Sequence, residues 1–276
     1  MISVLVLTKN EEKDLPGCLE SVSWSDDIHV YDSFSTDATL EIAERFGASV
    51  LQREFDNWAS HQNWGLQNIR FKHDWVFYID ADERMSPGLI EACRQAIKSP
   101  RDYVAFNVVR RDFWDGRQLK HVQASALYVR LFKPGSISYE RLVNPVTVVD
   151  GNCGQVEGFL DHYPFSKGIG HWIRRHDSYS SFEAQEVWRA MQSGERVSLR
   201  GLLTGDFHSR RRQLKRLFYR APFRPAVKFL WLYIAKLGFL DGRAGFRYAV
   251  LQSIYEYFIT LKLREIRAQP SEANET

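Results

Sequence analysis

The sequence predicts an α/β fold built on a mostly parallel sheet. Three observations carry that prediction. Short apolar runs alternate with helical patterns through the first hundred residues, at Ile2–Leu7, Asp27–Tyr31, Ser49–Gln52 and Trp75–Ile79. These runs are rich in β-branched and aromatic residues, as strands covered on both faces are. Polar or acidic residues follow three of the four, and ligands sit at strand ends in open α/β sheets.

The elements follow in order. Ile2–Leu7 is a buried strand, too short for a signal peptide and without a basic leader. It runs into Thr8-Lys9-Asn10-Glu11-Glu12, and a helix over 12–22 is expected, with Asn10 as a candidate N-cap. The second strand stops at Asp32-Ser33-Phe34-Ser35-Thr36-Asp37; Thr36 can cap a helix that closes at Gly47. After the third strand, Asn57–Ile69 reads as a polar helix. Trp75–Glu83 is then an apolar strand that ends in three carboxylates, W-V-F-Y-I-D-A-D-E. A helix follows from Ser86 to Lys98, with Pro87 at its first position. Parallel strands need right-handed crossovers, which place helices on both faces of the sheet.

Beyond residue 100 the pattern changes. Tyr103–Arg111 and Ala126–Phe132 read as strands, with turn signals at Asp115-Gly116 and Lys133-Pro134-Gly135. Without helices between them they extend the sheet in antiparallel fashion, as a wall for a second substrate. Gly151–Gly158 reads as a turn-rich link, and 169–193 as a helix. The expected organisation is one unit over 1–194, divided near residue 100, a basic amphipathic helical region over 195–267, and a disordered tail over 268–276.

Composition narrows the chemistry. Apolar residues make up 44% of the 276, enough for a core. Cys18, Cys93 and Cys153 show neither ligand spacing nor a disulfide framework, so a reducing, cytoplasmic compartment is expected. The net charge of +3 hides an asymmetry: 196–267 holds 16 Lys/Arg and 4 Asp/Glu, net +12, and the remainder is net −9. Aromatic helices flanked by Arg and Lys suit a bilayer interface beside anionic headgroups, and equally a helical hairpin packed on the body. Nucleic acid is disfavoured: no recognised motif is present, and acids at strand ends repel phosphate.

Isolated buried charge is costly, so acids that end a buried strand hold something. Asp80 and Asp82, one residue apart, can share a hard divalent cation, Mg²⁺ or Mn²⁺. Thr8, Asn10, Glu11, Asp32, Ser35 and Asp37 follow neighbouring strand ends and gather at the same edge. Neither G-x-G-x-x-G nor G-x-x-x-x-G-K-[ST] occurs, which argues against a Rossmann dehydrogenase or a P-loop enzyme. A second cluster, Asp161, His162, His171, Trp172, Arg175 and His176, reads either as metal or acid/base chemistry or as a helix start with interfacial aromatics.

L-V-L-T-K-N-E-E, D-S-F-S-T-D-A-T and W-V-F-Y-I-D-A-D-E-R, in that order, resemble inverting family 2 glycosyltransferases of GT-A fold. The likeness is to the branch that builds lipopolysaccharide core and other surface polysaccharides, and L-D-H-Y-P-F-S-K-G and K-L-G-F-L-D-G-R-A-G-F extend it over most of the chain. It implies sugar transfer from a nucleotide-sugar, with a UDP-sugar expected, to a lipid-linked or lipopolysaccharide-core saccharide at the inner face of the cytoplasmic membrane. Thr8 and Glu11 would line the base and ribose pocket. Asp32 would accept from the base, Asp80 would face the ribose or the metal, and Asp82 would ligate the metal. Relatives often carry His-Glu or an acidic pair where this chain has Val143-Asn144-Pro145. Glu140 is therefore the first candidate for the base, Asp161 the second and Glu157 the third. A nucleotidyltransferase and a non-catalytic sugar-nucleotide-binding protein are the alternatives.

Overall fold

A computed structural model describes residues 1–123, 126–140, 145–192, 218–219, 221 and 223–268. They fall into two compact units, residues 1–120 with 124–169, and residues 121–123 with 170–276.

The first unit is organised by one sheet. Its opening strands are β1 (Ser3–Thr8), β2 (Ile28–Asp32), β3 (Ser49–Gln52) and β4 (Val76–Asp80). β1 pairs in parallel with β2 and with β4, and β2 with β3. The strands β5 (Glu83–Met85), β6 (Tyr103–Trp114), β7 (Arg117–Gln118), β8 (Ala126–Phe132), β9 (Ile137–Glu140), β10 (Val146–Val149) and β11 (Asn152–His162) follow. The sheet runs β3-β2-β1-β4-β8-β6-β11-β5, with β7 on β6 and β9-β10 a separate ribbon. β8 is antiparallel to β4 and β6, which is the antiparallel extension expected.

Helices α1 (Leu15–Val22), α2 (Thr39–Arg45) and α4 (Pro87–Lys98) bury Leu15, Leu19, Ile42 and Leu89 against Val4, Val6, Phe77 and Ile79 of the sheet. Helix α3 (Trp58–Asn68) covers the other face, where Trp64 joins Leu5, Tyr31, Tyr78 and Phe132. Burying each such side chain stabilises by roughly 1.5–3 kcal/mol, so two-sided cover explains the unbroken apolar runs. Asn57 and Ser86 cap α3 and α4 by accepting from the Ser60 and Leu89 amides.

Three local expectations need correction. Asn10 caps no helix: it adopts φ 54°, and its side chain accepts from the Thr36 amide at 2.8 Å. Thr36 caps nothing either, because α2 begins at Thr39 and Asp37 accepts from the Thr39 amide at 3.0 Å. Gly151–Gly158 is not mainly a link; from Asn152 it belongs to β11, which pairs with β6 through a register shift between Gln155 and Phe159. The shift falls at Gly158, where φ is 98° and a Cβ would stand 2.7 Å from Leu89 Cα.

The second unit is helical. Helix α5 (Ile169–Gln192) meets the expected span. Helix α6 (Arg224–Leu230) continues into a π-helical turn, Trp231–Ala235, and a 3-10 turn, Gly238–Asp241. Helix α7 (Gly242–Ala268) closes it. Ala184 and Val187 of α5 pack on Ile259 and Leu263 of α7. The basic stretch 196–217, Arg220 and residues 269–276 of the expected tail lie outside the described residues.

Candidate active site

Parallel register brings the strand-end groups together. Thr8 is level with Asp32, and Leu7 with Asp80, so the loops after β1, β2 and β4 share one edge.

The two loops on the β1–β2 side are stitched to each other. Asp32 is fully buried and accepts four hydrogen bonds, from Thr8 Oγ1 at 2.8 Å, Ser35 N at 2.8 Å, Ser35 Oγ at 2.5 Å and Gln52 Nε2 at 3.0 Å. A carboxylate has about four lone-pair sites, so Asp32 can accept from a base only if one of these donors turns away. The Asn10 amide donates to Ser35 Oγ at 2.8 Å, and Lys9 Nζ donates to Ser33 O at 2.6 Å. Glu11 is ion-paired with Lys167, while its Oε2 is buried without a partner. Burial pushes the Glu11 carboxyl up to about 7 against the pull of Lys167, and Asp82 and Asp14 add to the rise.

The three acids of Asp80–Glu83 have separate partners. Asp80 accepts from the Tyr78 hydroxyl and, at 2.8 Å, from Arg130. Glu83 is fully buried; its Oε1 accepts from Arg130 at 2.7 Å and its Oε2 from the Asp80 amide at 3.0 Å. Glu83 is thus a clamp that shapes the turn. Asp82 instead faces His162, with Oδ2 3.3 Å from Nε2. The other ring nitrogen, Nδ1, is 2.5 Å from Asp112 Oδ1. Because Asp112 can only accept, Nδ1 carries the proton and Nε2 is turned toward Asp82. Burial lowers the basicity of His162, but the carboxylates of Asp82 and Asp112 outweigh it and hold the pKa at about 9.

This donor set fits a divalent cation. A carboxylate and an imidazole converge, and the imidazole is oriented by an acid behind it, as metal-binding histidines are. Among the described residues no group of three His, Cys, Asp or Glu is placed to hold an ion. A cation bound mainly by substrate phosphates needs only one or two protein ligands.

Asp112 and Arg130 escaped the sequence reading as site residues, while His162 stood there only within a cluster with two readings and Glu83 only as the third of the strand-end acids. A signal existed for Arg130, a lone charge inside the apolar strand A-L-Y-V-R-L-F, which must meet buried acids. His162 was legible once F-L-D-H is read as a strand end.

The candidate bases have other surroundings than Asp82. Consecutive strand residues face opposite sides. His162 faces Asp82 and Asp112, so Asp161 faces away, bound to Arg111 at 2.6 and 2.7 Å. Tyr139 is buried within electrostatic reach of Arg130 and Asp80, and its neighbour Glu140 is exposed. Glu157 is likewise exposed.

Beside this edge the segment after β11 crosses the start of α1. Ser166 Oγ donates to Asp14 at 2.6 Å, Lys167 Nζ to Asn10 O at 2.9 Å, and Tyr163 N to Asp82 O at 2.9 Å. A cavity of about 360 Å³ opens there, lined by Asp14, Arg84, Trp114, Asp115, Tyr163 and Phe165 among others.

A mixed sheet with helices on both faces, carrying its acids at the ends of β1, β2 and β4, is a GT-A fold. The profile of Glycosyl transferase family 2 matches residues 3–161, and the chain belongs to that family. It is 24% identical over 283 aligned residues to the lipopolysaccharide core biosynthesis glycosyltransferase LpsC of Rhizobium meliloti, covering 99% of this chain and 95% of that one. An uncharacterised glycosyltransferase of Rickettsia typhi is also 24% identical, with 96% and 87% covered. The mannosyltransferase PcManGT of Pyrobaculum calidifontis, solved with GDP-Man and Mn²⁺, superposes with a TM-score of 0.56 at 15% identity, over 95% of this chain and 86% of that one. The protein is a glycosyltransferase.

Proposed function

We propose that the enzyme transfers a sugar, with inversion, from a nucleoside-diphosphate-sugar to a lipid-linked or lipopolysaccharide-core saccharide at the inner face of the cytoplasmic membrane. The observation that carries this reading is the Asp82–His162–Asp112 relay beside Asp80. Asp82 and His162 would hold Mg²⁺ or Mn²⁺, which supplies charge neutralisation for the departing diphosphate. Asp112 keeps His162 Nδ1 protonated, so that Nε2 is the ligating atom. Asp80, already neutralised by Arg130 and Tyr78, is suited to accept from ribose hydroxyls and is the lesser metal candidate. Thr8, Asn10, Glu11 and Ser35 shape the nucleoside pocket, and Asp32 holds its loop and reads the base if Ser35 turns away. LpsC's name supports the lipopolysaccharide acceptor, and PcManGT's bound GDP-Man and Mn²⁺ support the donor class and the cation. The aromatic rings and carboxylates of the neighbouring cavity are the chemistry that grips a saccharide.

A thermal-shift screen of UDP-, GDP- and other nucleotide-sugars with Mn²⁺ identifies the donor, and chromatography of the products identifies the reaction. Nucleoside diphosphate release supports sugar transfer. Pyrophosphate release would identify a nucleotidyltransferase, and donor binding with neither transfer nor hydrolysis a non-catalytic binder. Asp82→Asn is expected to abolish transfer while the melting profile stays native; normal turnover would refute the metal assignment. Because Asp161 is held by Arg111 and Glu140 is exposed, Glu140→Gln and Asp161→Asn are each expected to keep turnover within about tenfold, whereas a general base contributes about 10²–10⁴-fold.

A further inference from the structure

Among the described residues, the second unit exposes a set of large apolar side chains. Phe223, Leu230, Trp231, Ile234, Leu240 and Phe246 all lie outside the core, Phe223 at 83% and Trp231 at 57% exposure. Single exposed apolar residues need no explanation, but a contiguous stretch of large ones does.

The face is built on a fixed scaffold. Asp241 is buried and accepts from the His121 and Val122 amides at 2.9 and 2.8 Å. Arg224 and Glu256 form a buried pair. A Cβ at Gly238 would stand 2.6 Å from Leu232 O, and one at Gly245 would collide with Gly238 O, so the two turns pack backbone to backbone. Phe223 and Leu237 adopt left-handed φ of 53° and 57°, a conformation bulky residues avoid. The fold thus holds strained, apolar residues outward. Such strain points to a function, because an unconstrained chain would relax it.

The charges identify the occupant. From Phe223 to Tyr255, apart from Arg224 with its buried partner Glu256, the chain carries Lys228, Lys236, Arg243 and Arg247 against a single acid, Asp241, which is buried and bonded to backbone. Arg243 and Arg247 are exposed. Among the described residues no helix is long and apolar enough to cross a membrane. An apolar face with a cationic rim and no exposed acid is complementary to an anionic bilayer surface, entered from one side.

We propose that the α6–π-turn–3-10–α7 hairpin inserts into one leaflet of an anionic membrane, with Leu230, Trp231, Ile234 and Leu240 among the acyl chains and Lys236, Arg243 and Arg247 at the headgroups. This deepens the membrane reading proposed above. Charge draws the protein to the surface, and apolar insertion holds it there.

Vesicle flotation of the full chain tests the proposal, using phosphatidylglycerol-containing and pure phosphatidylcholine vesicles. Wild type is expected to float with the anionic vesicles and to stay bound when salt is raised after binding, since insertion is not screened. Leu230→Ser/Ile234→Ser/Leu240→Ser should lose that salt-resistant fraction roughly tenfold or more. The residues are exposed, so native circular dichroism is expected of the variant. Phe46→Ser, an exposed apolar position in the first unit, should float normally. Asp82→Asn, inactive by the proposed mechanism, should also float, so that failure of the transfer reading and of this one are distinguishable. Three results would overturn insertion: no flotation at low salt, binding fully released by salt, or a serine variant that floats like wild type. Wild type that forms dimers abolished by the serine substitutions, without flotation, would make a second copy the occupant.

Discussion

Asp80, Asp82 and Glu83 look alike in sequence and differ in what surrounds them. Glu83 and Arg130 are both buried, with Asp80 as the third member. Removing Arg130 takes the nearest cation from buried Glu83 and leaves only Arg110, at 3.7 Å, so Arg130→Ala is expected to destabilise by about 3 kcal/mol in urea melts. Arg130→Met with Glu83→Gln should cost less than Arg130→Ala alone, because the fully buried carboxylate is removed with its cation and only the part-exposed Asp80 loses a partner. Asp112 acts through His162. Asp112→Asn is expected to weaken Mn²⁺ binding by about 10–100-fold while the fold survives. Metal binding needs an unprotonated Nε2, so Mn²⁺ affinity should rise with pH toward about 9, where His162 titrates. Glu11 adds a stability effect of defined sign. Its folded pKa is raised by burial from 4.5 to about 7, so the stability it contributes is complete below 4.5 and is lost as pH rises through about 7. The Tm of Glu11→Gln relative to wild type should therefore increase over that range.

Elements with strong periodicity or explicit turn chemistry were legible: β3, α3, α4 with Ser86 and Pro87, and β8. The misses share a physical cause, which is that tertiary partners decide them. β5 is three residues long and exists because β11 pairs with it. β11 was masked by Gly151, Gly154 and Gly158, whose turn-like composition reflects close contacts with Val104, Phe106 and Leu89. For the same reason His162 was legible only as one member of a cluster, because its partners Asp82 and Asp112 come from other strands. In the second unit, Gly238 and Gly245 are legible as a turn but not as a backbone contact. Gly245→Ala is expected to cost about 1–3 kcal/mol or more and to lower the Tm by differential scanning calorimetry.

For the whole molecule, the charge asymmetry along the chain, net +12 over 196–267 against −9 elsewhere, matches the two tasks proposed for its parts. The acidic body gathers carboxylates at strand ends, where a cation and a nucleotide would need them. The basic helical unit carries an apolar face that a charge count does not reveal, because side-chain exposure depends on which way the hairpin packs. The family and the GT-A fold were visible in three motifs in order, since strand-end loops carry both fold punctuation and chemistry. The general base was not: Glu140 is exposed and Asp161 is paired with Arg111, and sequence alone shows neither environment.

The most direct test of the account is Mn²⁺ binding, followed by electron paramagnetic resonance in the presence of the donor's nucleoside diphosphate. Wild type is expected to bind Mn²⁺ with the nucleotide, and both Asp82→Asn and His162→Gln to lose that binding by tenfold or more, while Asp161→Asn binds normally. Equal Mn²⁺ binding by wild type, Asp82→Asn and His162→Gln would contradict the assignment of the site.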